Sequence, residues 1–246
     1  MGTVYKAEDT KLKRIVALKF LPAHAVGDEQ QRLRFTREAQ AAAALDHPNI
    51  CSVHEIEEAE GHTFISMTYC EGDTLKDLAE RGDLGLEHTL DIAIQVAEGL
   101  GEAHDKGIVH RDIKPANIMV SDKFQAKIMD FGLARLADRP GVTRTGTAVG
   151  TILYMSPEQM RGDTVDNRSD IWSLGVVLYE LVTGAHPFHG EYEAAIIYSI
   201  LNNKPGPIVP FFQNTCYPPN QPSPSRSFAL GGAIADAIRA LSLIHI

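Results

Sequence analysis

"HRDIKPANIM", residues 110–119, decides how this chain reads. It sets Asp112, Lys114 and Asn117 within six positions of one another. A loop that gathers a carboxylate, an ammonium and a carboxamide is costly to fold unless the groups are used. Alone, it reads equally well as a polar turn with an Asx-type bend. Twelve residues separate Asn117 from a second short signal, "DFG" at 130–132, which the apolar Ile128-Met129 precedes. Upstream stand "GTVYKA" at 2–7 and "VALK" at 16–19. Each is weak by itself, and in this order they support one another.

Around these motifs the pattern of apolar residues changes along the chain. Thr3–Ala7 and Arg14–Phe20 flank a polar turn, Glu8–Lys13, as in a hairpin. Asp28–Leu45 has Phe35, Ala39, Ala42 and Ala43 at helical spacing, and His47-Pro48-Asn49 stops it. Cys51–Glu57 and Thr63–Tyr69 are strands around Glu60-Gly61-His62. After Gly72 helices take over. Leu86–Lys106 is amphipathic, with Leu90, Ile94, Ala97 and Leu100 on one side and Gly107 as its stop. Ile118–Val120 and Ala126–Met129 form a second hairpin. Ser169–Thr183 is apolar nearly all round, the mark of a buried helix, with Ser169 capping its start and Gly184 its end. Pro218–Ser225 reads as an irregular linker.

The composition narrows the function. The 246 residues carry a net charge of −9 with acids and bases interleaved, which argues against nucleic acid as a general partner. Three cysteines, Cys51, Cys70 and Cys216, are widely spaced and odd in number. They argue against a disulfide framework or zinc site and for a reducing cytoplasm. No apolar stretch is long enough for a membrane segment; Phe228–Ile246 comes nearest, and Asp236 and Arg239 interrupt it. No GxxxxGK[ST] is present, so a P-loop ATPase is excluded.

Taken together, the motifs resemble the catalytic domain of protein kinases over residues 1–208. "GTVYKA" is similar to the end of the glycine-rich loop, "VALK" to the third strand, and "HRDIKPAN" to the catalytic loop. "DFG" resembles the metal-binding segment, and "SPE" at 156–158 a variant of Ala-Pro-Glu. The Lys and Pro of "DIKPAN" resemble the serine/threonine branch, with the texture of bacterial kinases of eukaryotic type. The resemblance implies an α+β, bilobal protein-kinase-like fold. Residues 1–70 would form a small antiparallel β lobe with one helix, 71–208 a larger, mainly helical lobe, and 209–246 an atypical tail.

The same resemblance implies ATP and Mg²⁺ as cofactors and protein substrates bearing Ser or Thr. Lys19 would reach the α- and β-phosphates. Glu38 would hold it, although Glu38 also reads as a solvated helix glutamate beside Arg34 and Arg37. Asp130 and Asn117 would give oxygens to the metal, which favours hard ligands and keeps several waters. Asp112 would accept or orient the hydroxyl proton, and Lys114 would neutralise charge on the phosphoryl group. Gly2, Val4, Ala17 and Met119 would enclose the nucleotide, with Met67 as gatekeeper and the backbone of Thr68 and Cys70 on the adenine edge. Core packing explains those apolar residue types equally well. Asp170 would hold the catalytic-loop backbone, and Thr151 would contact Asp112 and Lys114.

Thr145 or Thr147 would be autophosphorylated, through self-association, and received by Arg111 and Arg135. An unmodified threonine-rich loop is the other reading. Relative to the family pattern, the first strand and two glycines are missing, so the chain is expected to be a fragment with reduced grip on ATP. An arginine partner for Glu158 is expected too, with Arg226 and Arg239 as candidates by charge only. The alternative from another class is a non-catalytic nucleotide-binding or scaffold module of the same shape.

Overall fold

The computed structural model describes residues 3–20, 36, 39–59, 62–131 and 149–206. Strands β1 (Val4–Asp9), β2 (Arg14–Phe20), β3 (Val53–Ala59) and β4 (His62–Thr68) form one antiparallel sheet in the order β1-β2-β4-β3. The β1–β2 turn is tighter than the polar run implied, because Asp9 Oδ1 accepts from the Lys11 and Leu12 N–H groups at 3.0 Å each. In register, Val4 lies opposite Lys19, and Ala17 opposite Met67. One face of this sheet buries Ala17, Ile65 and Met67 together with Ala39 and Cys51. Helical backbone covers residues 39–43, within the expected Asp28–Leu45 helix; most of the rest of that segment lies outside the described residues.

A second, smaller sheet follows: β5 (Asp73–Thr74), β6 (Ile118–Val120) and β7 (Ala126–Ile128), in that order. Gly72 leads into it with φ +117°, so close to β6 that a Cβ would lie 2.1 Å from the Val120 carbonyl oxygen. No side chain fits there. The helices are α1 (Leu75–Arg81), α2 (Leu86–Asp105), α3 (Val149–Ile152), α4 (Pro157–Arg161), α5 (Arg168–Thr183) and α6 (Glu193–Asn202). Their main core gathers Ile92, Val96 and Leu100 of α2 with Ile113, Ile118, Ile128 and Val177. Among the described residues no helix is long and apolar enough to cross a membrane.

Three expectations need correction. The buried stripe of α2 runs through Ile92, Val96, Gly99, Leu100 and Ala103, while Ile94 is 57% exposed and Ala97 faces solvent. The reason is Gly99. A Cβ there would stand 3.1 Å from the Ile128 side chain and 3.2 Å from the Asn49 carbonyl oxygen, so α2 sits directly on β7 and on residue 49. Gln95, one turn earlier, accepts from Asn49 Nδ2 at 3.0 Å and from the Ala126 N–H at 2.9 Å. The second correction concerns α5, whose N-cap is Asn167 and not Ser169. Asp166 Oδ1 accepts from the Arg168 N–H at 2.9 Å, which frees the Ser169 hydroxyl to bond Glu158. Cys51 also stands outside its expected strand, because its N–H bonds Ile128 of the other sheet at 2.9 Å.

Asp170, in the first turn of α5, is fully buried. Its Oδ2 accepts from the His110 N–H at 2.8 Å and its Oδ1 from the Arg111 N–H at 2.7 Å. His104 Nε2, from α2, lies 2.8 Å from Oδ2. Arg111 has φ 69°, a region unfavourable to an L side chain, and these bonds hold it there. α5 also carries Glu180, whose Oε2 accepts from the Tyr154 hydroxyl at 2.6 Å and whose Oε1 lies 3.3 Å from His186 Nε2. Burial works to raise the Glu180 pKa, but the His186 and Tyr154 hydrogen bonds outweigh it and the net shift is downward.

Four outcomes follow for stability, each read by denaturant unfolding. Gly99→Val should cost about 2 kcal/mol through overpacking. Gly101→Ala, in open space on the same helix, should gain about 0.5–1 kcal/mol from propensity. Asp170→Ala should cost about 3–5 kcal/mol, since it strands buried donors; a loss under about 1 kcal/mol would contradict the anchor. The Glu180 contribution is present above the unfolded carboxylate pKa of about 4.3 and drains as the pH falls through the lower folded value. Glu180→Gln should therefore flatten the stability profile on the acid side.

Candidate active site

The residues 110–117 are folded from both ends. Asp170 fixes the backbone at His110 and Arg111, as described above. Downstream, Pro115 opens a single 3₁₀ turn, Pro115–Asn117, where its missing N–H costs nothing. The Asn117 N–H bonds the Lys114 carbonyl at 2.9 Å, and the Asn117 carbonyl accepts from Met129 at 2.8 Å. His110 ties the loop to the "DFG" segment. Its Nδ1 accepts from the Asp112 N–H at 3.2 Å, so Nε2 is the donor to the Met129 carbonyl at 2.7 Å. Its ring meets Phe131 edge-on at 4.7 Å.

This frame brings the expected groups together. Lys114 Nζ lies 2.9 and 2.7 Å from the two carboxylate oxygens of Asp112. It also donates to Thr151 Oγ1 at 3.2 Å. Thr151 thus reaches Asp112 through the lysine. Asn117 Nδ2 donates to the Asp112 carbonyl at 2.8 Å and to its Oδ2 at 2.9 Å. Lys114 and Asn117 are both buried, at 6% and 7% exposure, so these charge-assisted bonds are shielded from water. Lys19 Nζ stands 2.6 Å from Asp130 Oδ1, and Asp130 has φ 62°.

With its amide nitrogen turned to Asp112, Asn117 keeps its oxygen as the atom for a cation, and Asp130 keeps its second oxygen. Among the described residues no group of three or more His, Cys, Asp or Glu side chains could hold a metal alone. A donor set of two hard oxygens fits a cation that brings waters and phosphate oxygens with it.

The expected nucleotide walls are placed as follows. Ala17 and Met67 are buried opposite each other in the sheet, and Met119 is half-buried on β6. Val4 is 54% exposed on β1. Thr68 and Cys70 are half-buried at the exit of β4. Behind Met67 a small cavity is lined by Ala39, Cys51, Ile65, Asp130 and Phe131. Gly2, Glu38, Arg135, Thr145 and Thr147 lie outside the described residues, as do Arg226 and Arg239. The Arg111 carbonyl accepts from Gln159 Nε2 at 2.8 Å. Glu158 accepts from the Ser169 hydroxyl, and its charge is among those that hold the Arg168 pKa up.

Sequence reasoning missed Gln159 and His104. Ser156 and Gln159 form a capping box at α4, a pattern visible in "SPEQ". His104 carried no such sign, being 66 positions from Asp170.

Residues 1–228 match the protein kinase domain family. Serine/threonine-protein kinase PknB of Mycobacterium leprae is 45% identical over 213 residues, 84% of this chain and 34% of the relative. A probable serine/threonine-protein kinase of Streptomyces coelicolor is 44% identical over 212 residues, 83% of this chain and 32% of the relative. The chain thus spans about a third of the length of the curated relatives it matches. Among solved structures, the kinase domain of Mycobacterium tuberculosis PknI superposes with a TM-score of 0.65 at 29% identity, covering 97% of this chain and 82% of that one. On these matches the chain belongs to the protein kinase domain family and has its bilobal fold.

Proposed function

We propose that this chain transfers the γ-phosphoryl group of ATP, with Mg²⁺, to serine or threonine hydroxyls of protein substrates. The observation that carries the reading is the sharing of one carboxylate, Asp112, by the Lys114 ammonium and the Asn117 amide, with Thr151 on the far side of the lysine.

Each group has a task that this placement suits. Asp112 orients the incoming hydroxyl and takes its proton. Lys114 offsets negative charge on the group in transit. Asn117 and Asp130 hold the metal, which supplies electrostatic stabilisation of the phosphates. Lys19 would reach the α- and β-phosphates, with Glu38 as its counter-charge. Gly2, Val4, Ala17 and Met119 would enclose the adenine, with Met67 as gatekeeper and the Thr68 and Cys70 backbone at its edge. Positioning and fixed charge do most of the work in such a site, so a single lost charge is costly.

Control would come from autophosphorylation on Thr145 or Thr147 between two copies, with Arg111 and Arg135 receiving the phosphate. A cytoplasmic setting supplies both ATP and protein substrates.

The test is phosphotransfer from labelled Mg-ATP to a generic basic protein. Asp112→Asn should lower the rate by about 100-fold or more, while thermal stabilisation by Mg-ATP persists. Wild-type protein that ATP stabilises but that transfers no phosphate would favour the scaffold reading.

A further inference from the structure

Cys51 and Cys70 are 19 positions apart in sequence, yet the antiparallel course of β3 and β4 brings them to one end of the sheet. Cys51 Sγ donates to the Thr68 carbonyl at 3.3 Å, and Cys70 Sγ points to the same oxygen at 3.8 Å. Two sulfurs that converge on one oxygen are no farther apart than those two bonds laid end to end. Both are free thiols, Cys51 buried and Cys70 half-buried.

Their surroundings divide the work between them. The hydrogen bond with Cys70, and then burial, push the Cys51 thiol pKa up. The same bond draws the Cys70 thiol down against its burial, helped by the charge of Lys127. Cys70 is therefore the accessible member with more thiolate character, and Cys51 the buried member beside it.

We propose that Cys51 and Cys70 form a reversible disulfide behind the segment that joins the two sheets, made by a peroxide and undone by a dithiol, which weakens the hold on nucleotide. The effect on nucleotide rests on the adenine site of the proposed function; the bond itself does not. In the first step the Cys70 thiolate attacks one peroxide oxygen. The O–O bond breaks, hydroxide leaves, and Cys70 becomes a sulfenic acid. In the second step Cys51 sulfur attacks the Cys70 sulfur, and the S–O bond breaks. The thiol proton leaves with the hydroxyl as water. Two electrons pass from the sulfurs to the peroxide.

Closure requires the sulfurs to approach to about 2.0 Å. That withdraws both thiols from the Thr68 carbonyl and turns the backbone at Cys70. Gly72 cannot absorb the movement, being packed against Val120. The distortion is confined to residues 69–71, beside the groups proposed to meet adenine.

The experiment uses the full chain with Cys216→Ser, treated with hydrogen peroxide and then dithiothreitol. Intact mass and peptide mapping score the bond, and Mg-ATP titration scores affinity. The expected result is loss of two hydrogens, a Cys51–Cys70 linked peptide, and affinity lowered by about tenfold, the worth of one hydrogen bond, restored by dithiothreitol. Cys51→Ala and Cys51→Ser should both bind nucleotide with an affinity that peroxide does not lower through a crosslink. Two free thiols after peroxide, or overoxidised Cys70 beside reduced Cys51, overturn the proposal. A linked protein with unchanged affinity also overturns it. Reduced protein that binds no Mg-ATP but still forms the link overturns the adenine site instead.

Discussion

A single buried carboxylate holds the chemistry of this chain in place. Asp170 has no access to water and accepts from two consecutive backbone N–H groups and from the His104 side. A buried charge is tolerable only when its hydrogen-bonding capacity is used. Here the donors that satisfy it are those of His110 and Arg111, so the requirement of the charge becomes the shape of the loop. The left-handed backbone at Arg111 is held by α5, a helix whose own position depends on the packing of Leu174 and Val177. Geometry at Asp112 thus depends on the hydrophobic core through one residue.

The joining of the two sheets follows a similar economy. Residues 49–51 leave the first part of the chain and pair with β7 through the Asn49 and Cys51 backbone at 2.8 and 2.9 Å. Asn49 is held by Gln95 and by the Ala126 carbonyl, and Gly99 lets α2 close over them. From β7 the chain goes directly to Met129 and Asp130, whose placement the His110 ring checks from the other side. Packing, backbone pairing and one imidazole therefore act on the same few residues.

Much of this was legible in the sequence, for physical reasons. Asp112, Lys114 and Asn117 are charged or amide groups in one short stretch that make little sense apart, and the structure joins them at one carboxylate; Lys19 and Asp130 were legible through the resemblance, and the structure pairs them. Asp170 was legible through the resemblance, and a carboxylate opening an apolar helix does need the donors it finds. The face of α2 was not. Hydropathy weights Leu90 and Ile94, whereas the contact is made by a glycine with no side chain to weigh. The start of α5 was ambiguous because Asp166, Asn167 and Ser169 are all capping types, and only the tertiary demand of Glu158 on Ser169 decides among them. His104 and the Cys51–Cys70 proximity depend on contacts between distant segments, which local periodicity does not encode.

The Lys19–Asp130 bond runs from β2 of the larger sheet to the residue two past β7 of the smaller, with the lysine 16% and the aspartate 33% exposed. A polyanion entering there competes for the ammonium, and a divalent cation competes for the carboxylate. Arriving together, they let both side chains trade partners in one event, with neither charge left bare in a half-dry space. The contact is one ion pair linking the two sheets, so a visitor that brings both signs of charge meets a partner for each end of it.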